Sequence, residues 1–390
     1  MRAYDAAVVG GSIAGLYAGM KIARGGMNVC IIDRKHRIGT PVRCGEATGN
    51  YRQLSRFFDI HKSCIAREIA GLTLHINSHT ISRNIPEAGV VLNRDILEQQ
   101  LAEQARSFGA TILLDTSVTG LHDNHRGDWD GVTVENGRLI EARYIIGADG
   151  CESWIGQWAG ITSPLALNEV VSTIEYHMES RYCDDGNLHF FTGTSVIPAG
   201  YIWVFPKGDN HMLVGGGIYG CPRNVPKVKY YVDAFIQSRI PGAKPYSMIT
   251  GCVPVTVCPR DLTCENVLVV GDAARQVNPL TAGGIMNALE AADLAADAIL
   301  TCGDDDGKLR IYSRKWARNQ RRQQKLYRLL RDIIVNSSDN EMISLAETAR
   351  RVFKEGFDGS KPYQLPAVPL AVLALSIFPK VIRYRSALAG

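Results

Sequence analysis

"VVGGSIAG", residues 8–15, decides the fold. It follows a short apolar run, "YDAAVV" at 4–9, and opens a stretch of small and apolar residues at helical spacing, 14–24. A second apolar run, "NVCIID" at 28–33, comes next. Strand, glycine turn, helix and strand make a βαβ unit, which predicts a parallel sheet. Gly10 permits the tight turn off the strand, and Gly15 lets the helix pack against the sheet. The helix N-terminus then offers free N–H groups and a positive dipole end to a pyrophosphate. The usual fingerprint is G-x-G-x-x-G, and its middle position is Ser12. The backbone approaches the phosphate there, so the residue must be small; serine adds one carbon and a hydroxyl that can donate a hydrogen bond. Asp33 ends the second strand, 23 residues after Gly10, where a carboxylate can accept from both ribose hydroxyls. Without the strand context it would be an ordinary turn aspartate.

Outward from this unit, "RDILEQQLAEQARSFG" predicts a helix over about 94–108, ended by Gly109. "TILLDTSVTGL" and "GVTVENGRLIEARYIIGADG" predict strands, with a hairpin turn at Asn136-Gly137. From about 165 to 260 alternating strands dominate, and "GLTLHINSHTIS" at 71–82 joins the same sheet. "NVLVVGDA" at 266–273 returns to the parallel-sheet style, a long helix runs to about Leu300, and 308–356 reads as helical. The expected division is therefore a discontinuous dinucleotide-binding domain (1–70, 93–160 and 262–305), a mostly antiparallel sheet domain (71–92 and 161–261) forming one wall of a ligand cavity, and a C-terminal helical region (306–390).

Composition sets bounds. The 390 residues are 46% hydrophobic and 21% charged, which excludes disorder, and a net charge of +4 is too mild for a nucleic-acid binder. Ten cysteines include no Cys-x-x-Cys pair, so neither a zinc ribbon nor an iron–sulfur cluster is expected, and no metal. Reduced thiols and a first strand that starts almost at Met1 lead to the expectation of a cytoplasmic protein. The longest uncharged run, "YQLPAVPLAVLALSIFP" at 363–379, is broken by prolines. Its intact part, Leu370 to Phe378, would span only ~14 Å as a helix against ~30 Å of bilayer hydrocarbon. Flanked by Lys361, Lys380, Arg383 and Arg385, it reads either as a peripheral membrane contact or as a buried C-terminal helix.

Two more strand ends carry chemistry. "YIIGADG" at 144–150 ends in Asp149 and Gly150, and "VLVVGDAA" at 267–274 contains Gly271 and Asp272. After the second comes "NPLTAGGIMNALEAADLAADAIL", a proline turn, two glycines and a long Ala-rich helix. With the first glycine turn, these three motifs resemble the flavoproteins of p-hydroxybenzoate-hydroxylase-like architecture. The resemblance implies an α/β fold with an FAD-binding Rossmann-type domain, in which Asp272 binds ribityl hydroxyls and Ser12 falls within tolerated variation. Gly283, Gly284 and Ile285 would open the helix whose N-terminus stabilises negative charge on the reduced flavin. It also implies Ala14, Arg34, Arg43, Gly45, Arg94 and Val118 as cofactor contacts.

"PVRCGE" at 41–46 and "YIWVFPKGDNHMLVGGG" at 201–217 are similar to segments of the geranylgeranyl reductase family, a likeness covering roughly residues 1–300. It implies that Tyr201, Trp203, Phe205 and Pro206 line a prenyl cavity and that Cys44 sits by the isoalloxazine. The turn departs from the family's usual T-G-x-G-I in having Ala282. Taken alone, Tyr201, Trp203 and Phe205 alternate along a strand and would be a core face, and Cys44 a buried small hydrophobe. The implied reaction is saturation of an unpolarised alkene of a prenylated lipid by hydride and a proton, in a long, dry pocket. Cys44, Glu46 or a held water are the candidate proton sources. One dinucleotide fingerprint leaves NAD(P)H or reduced ferredoxin as the electron donor. "KLRIYSRKWARNQRRQQKLYRLLR" at 308–331 holds ten basic residues and no acid. With Leu309, Tyr312, Trp316, Gln323, Leu326 and Leu330 facing inward, its basic side is either a solvated face or a docking stripe for an acidic donor or anionic headgroups. The rivals are an FAD-dependent aromatic monooxygenase, disfavoured by Arg275 where those enzymes usually have histidine, and an electron-transferring membrane flavoprotein.

Overall fold

The computed structural model describes residues 3–123, 129–220, 225–303 and 306–352. Two eight-stranded sheets organise them. In the first, the order is Thr263–Cys264, Val267–Val269, Leu139–Gly147, Tyr4–Val9, Val29–Ile32, Thr111–Leu113, and a hairpin arm, Val118–Asp123 with Trp129–Val134, hangs from Leu139–Gly147. Tyr4–Val9 runs parallel to both Val29–Ile32 and Leu139–Gly147, with Val9 beside Ile32 and Gly147. The fully buried strand Val29–Ile32 is continuously apolar because helices cover the sheet. The turn after Val134 carries Gly137 at φ +76°, as the Asn-Gly signal requires.

Helices Ile13–Arg24 and Ile285–Cys302 pack against each other through small residues, Ala18 and Ala23 on one and Ala291, Ala292, Ala295 and Ala296 on the other, all in one core cluster. The contact is pinned by Tyr17, whose hydroxyl donates to Asp293 at 2.6 Å, and by Lys21, paired with Asp293 at 2.5 Å and Asp297 at 2.7 Å. Helix Arg94–Ser107 ends where Gly109 turns to φ +94°.

The second sheet has the order Pro245–Pro254, Val170–Glu179, His211–Tyr219, Ile197–Gly208, Asn187–Gly193, Ile65–Ile76, His79–Leu92, Ala47–Thr48. It is antiparallel throughout except where Asn187–Gly193 meets Ile65–Ile76. The strand-like piece at 71–82 is thus the middle of a long hairpin turning at Asn77, φ +50°. One face of the sheet packs on helix Val228–Arg239, which the sequence pattern did not indicate; the other faces the strand ends of the first sheet.

The basic segment forms helices Arg310–Trp316 and Arg322–Val335, joined by one wide π turn, Ala317–Arg321. That turn adds a residue and rotates the inner face. Leu309, Tyr312, Trp316 and Leu330 are buried as expected, but from the turn onward Gln320, Gln324, Tyr327 and Arg331 are buried too, whereas Gln323 and Leu326 are only half-buried. Arg331 leaves the basic stripe, donating to the Val255 carbonyl and pairing with Asp332. The apolar tail at 363–379 lies outside the described residues.

Ala282, in the turn before Ile285–Cys302, stands at φ +56°. A Cβ there costs about 1–2 kcal/mol, partly offset by the extra chain entropy a glycine loses. Ala282→Gly is expected to stabilise the protein by about 0.5–1 kcal/mol, read as a higher denaturant midpoint at unchanged slope.

Candidate active site

The strand ends of the first sheet close on one another with no room for side chains. A Cβ on Gly10, which sits at φ +113°, would lie 2.2 Å from the Ala148 carbonyl oxygen, and one on Gly15 would lie 1.9 Å from the Gly10 oxygen. Ser12 is the N-cap of Ile13–Arg24 without capping it by its side chain. Its hydroxyl instead accepts from Lys35 Nζ at 3.2 Å. The first-turn N–H groups are therefore free to meet an anion, with an ammonium beside them. Ala14 is buried in this first turn.

Asp33 is buried at the end of its strand, and its Oδ2 accepts from Gly11 N at 2.5 Å, its Oδ1 from Lys35 N at 2.7 Å. Both bonds hold the carboxylate in place, and each oxygen keeps a second lone pair for a ribose hydroxyl. Arg34 points out into solvent. Lys35, which sequence reasoning passed over, is the basic residue at this turn; only its place two residues beyond the strand-end acid could have flagged it. Val118 begins the hairpin arm beside this corner, where Thr116 N donates to the Asp33 carbonyl.

Further along the strand ends, Asp149 Oδ2 accepts from Ile155 N at 3.0 Å while its buried Oδ1 has no hydrogen-bond partner among the described residues. Burial pushes its carboxyl pKa up. Gly150 follows at φ +85°. Next in the chain is Cys151, beside Cys252 of the edge strand Pro245–Pro254, and this thiol neighbour draws the Cys252 pKa down. Asp272 Oδ1 faces Gly284, 3.6 Å from where a Cβ would stand. Burial raises the Asp272 pKa, and Arg94 opposes the rise. Gly284 is the N-cap of Ile285–Cys302, exposed Gly283 precedes it, and no side chain caps the helix. Uncapped helix ends, glycine cradles and a buried carboxylate oxygen without a partner are what an FAD molecule would complete.

Loop 41–46 bridges the two sheets. Arg43 is exposed, its Cβ 3.9 Å from the position a Cβ on Gly251 would take. Cys44 is largely enclosed; burial pushes its thiol pKa up and Arg94 draws it back. Its sulfur accepts from Glu46 N at 3.2 Å. Arg94 is itself held by Glu98, Nε to Oε1 at 3.0 Å. A Cβ on Gly45 would come within 3.3 Å of the Phe205 ring and 3.4 Å of Trp203 Nε1, so this loop rests directly on the sheet. Glu46 is buried at φ +57° and ion-pairs with Lys207.

Tyr201, Trp203 and Phe205 share one face with Phe190 and Leu213, as strand alternation requires. The Tyr201 hydroxyl donates to the Thr281 carbonyl at 2.6 Å, and Tyr219 does the same to Leu280, tying this sheet to the turn before Ile285–Cys302. Pro206 departs from expectation: it pairs with Met212, which belongs to the core under helix Val228–Arg239, so it lies on the opposite face. Two residues on the cavity face went unnoticed in the sequence. Glu175 is 2% exposed and accepts from Trp203 Nε1 at 2.7 Å, and His177 Nε2 stands 3.4 Å from its other oxygen. Nothing in a single strand's alternation marks them as a pair with a tryptophan two strands away.

Comparisons with known proteins give the site its family. The chain matches the family model of the geranylgeranyl reductase catalytic domain over residues 169–253 and that of an FAD binding domain over 3–185. It is 31% identical over 363 residues to the digeranylgeranylglycerophospholipid reductase of Methanosarcina acetivorans, covering 90% of this chain and 89% of that one. The chain belongs to the geranylgeranyl reductase family. A second member, from Methanoculleus marisnigri, is 36% identical over 312 residues, 77% of each chain. A crystal structure of a geranylgeranyl bacteriochlorophyll reductase-like protein from Thermoplasma acidophilum superposes with a TM-score of 0.86 at 28% identity over 99% of both chains. This geranylgeranyl reductase family protein is thus an FAD-dependent oxidoreductase of α/β fold with a mostly antiparallel second sheet and a helical C-terminal region.

The Lys35–Ser12 contact and the uncapped helix end point to Ser12 as a residue that the pyrophosphate would meet. Ser12→Gly should retain flavin, whereas Ser12→Leu should be purified colourless; a yellow Leu variant would show the turn to be elsewhere.

Proposed function

We propose that this protein saturates C=C bonds of the geranylgeranyl chains of isoprenoid lipids. The observation that carries the reading is the aromatic wall Tyr201–Trp203–Phe205, roofed by the Cys44–Glu46 loop and tied by hydrogen bonds to the turn that opens Ile285–Cys302. An apolar face supports a hydrocarbon ligand, and a thiol kept protonated by burial beside a buried carboxyl supports proton delivery. The names of the relatives point to the same substrate class. Bound FAD, once reduced, would supply the hydride. The chain's part is to align the alkene on the aromatic face, exclude water, and hold the proton at Cys44, since Glu46 is engaged as a carboxylate by Lys207. Residues Gly10, Ser12, Gly15, Asp33, Asp149, Asp272 and Gly284 would hold the dinucleotide.

For the electron donor, the reading favours a small acidic protein such as ferredoxin over a stably bound nicotinamide, because one dinucleotide turn is present and Lys308, Arg310, Arg314, Lys315, Arg318, Arg322 and Lys325 are all exposed along one helical segment. Among the described residues no helix is long and apolar enough to cross a membrane, and the same stripe suits anionic headgroups at a membrane surface.

Mass spectrometry of a geranylgeranyl lipid after anaerobic incubation with dithionite-reduced enzyme tests the reaction. Two hydrogens gained per double bond are expected; hydroxylation appearing only with oxygen would mean a monooxygenase instead. Cys44→Ala should keep FAD bound and slow alkene reduction by about 10²-fold or more, and full turnover would remove Cys44 from the mechanism. Flavin reduction by ferredoxin, or binding to anionic liposomes, should weaken steeply between low and high salt; indifference to salt in both assays would dismiss the stripe.

A further inference from the structure

Glu175 is an acid in the wrong place for a purely apolar wall. Three neighbours explain how it is held. Trp203, two strands away, reaches it because Gly215 intervenes: a Cβ on Gly215 would lie 2.3 Å from the indole ring. The indole therefore lies flat across the middle strand and donates to Glu175 Oε2. Gly45 closes the other side, the site of its absent Cβ being 3.5 Å from the same oxygen. The remaining oxygen, Oε1, has no hydrogen-bond partner among the described residues and stands 3.4 Å from His177 Nε2, which has none either. His177 is 17% exposed, and its ring meets Tyr246 edge-on at 6.2 Å. Tyr246 is largely exposed and its hydroxyl is 3.3 Å from His211 Nδ1. The buried carboxyl thus touches the roof loop on one side and a solvent-reaching imidazole on the other.

Apart from His177, the surrounding charges do not stabilise a carboxylate. Glu46, from the roof loop, is also acidic, and the ammonium of Lys207 is engaged by Glu46. Cys44 is neutral, and Arg94 beyond it is committed to Glu98. Tyr246 and His211 lie further out, on the far side of His177. Burial accordingly pushes the Glu175 carboxyl above the usual range, opposed by His177 and the indole N–H.

We propose that Glu175, recharged through His177, is the proton store for alkene reduction, passing its proton to the Cys44–Glu46 loop above it. Resting on the reductase reading, the balance is simple. FAD, when bound and reduced, would supply the hydride with its electron pair to one alkene carbon, and the other carbon takes a proton. Glu175 goes from acid to carboxylate as it replaces that proton, then recovers one from the His177 imidazolium, which takes its own from water.

Glu175→Gln keeps an acceptor for Trp203 but holds no transferable proton. In the apoprotein, the native-minus-variant infrared difference spectrum should show a protonated-carboxyl component that titrates with pH, over and above the bands that Asp149 and Asp272 give in both proteins. In the holoenzyme it should bind FAD normally yet slow single-turnover reduction by about 10²–10³-fold, with loss of the rate's decline at high pH. Trp203→Phe removes a donor to the carboxylate, so in that variant the decline should move to higher pH. A native-minus-variant difference spectrum with no carboxyl component, or native rate and pH profile in Glu175→Gln, would overturn the proposal. Absence of any reduced lipid from the native enzyme would overturn the reductase reading and this use of the proton together, and is told apart because the carboxyl component of the difference spectrum would still be present.

Discussion

The hydrogen bond from Trp203 to Glu175 sets the geometry of the aromatic wall. A buried carboxyl in an apolar wall must be satisfied or stay protonated, and here one indole N–H satisfies one oxygen. The indole can reach only because Gly215 has no side chain, and the roof loop can descend only because Gly45 has none. The flat indole in turn fixes the floor on which a hydrocarbon would lie. Gly215 and Gly45 therefore serve one contact, although they are far apart in sequence and belong to different motifs.

A comparable economy holds at the first sheet. Gly10 and Gly15 let strand end, turn and helix approach to backbone contact, and Asp33 braces the turn through Gly11 N and Lys35 N. Asp33 thus holds the turn in shape through its own hydrogen bonds. Lys35 then places a positive charge at Ser12, so the serine that departs from the glycine fingerprint comes with an ammonium on its hydroxyl. The substitution is compensated within the turn.

Much of this was legible in the sequence because it rests on local signals. Strand-end Gly and Asp residues, a hairpin Asn-Gly and an Ala-rich helix each carry their own geometry. What escaped was non-local. Helix Val228–Arg239 contains Tyr230, Tyr231 and Val232, residues at home in strands, and it buries only Val232 and Phe235. Pro206 followed the aromatic motif in sequence but falls on the other face by alternation. The inner face beyond Trp316 shifted because a π turn cannot be seen in a 3.6-residue pattern. Glu175 and His177 read as the polar residues of a half-buried strand until register set Glu175 opposite Gly215 and Gly215 opposite Trp203.

Hydride chemistry demands that cofactor and alkene be held to within fractions of an ångström, and here they would be bound by different sheets. The relative placement of those sheets rests on few, stiff connections. Tyr201 and Tyr219 donate to adjacent carbonyls of the turn that opens the long helix. Arg331 ties the helical region to the carbonyl of Val255, just past the edge strand, and stacks over Tyr219. The roof loop rests on the second sheet through Gly45 and Glu46 and lies beside Arg94 of helix Arg94–Ser107. A change in the packing of the aromatic wall is therefore transmitted through Tyr201 and Tyr219 to the turn that opens Ile285–Cys302, which is why the aromatic wall and that turn have to be read together.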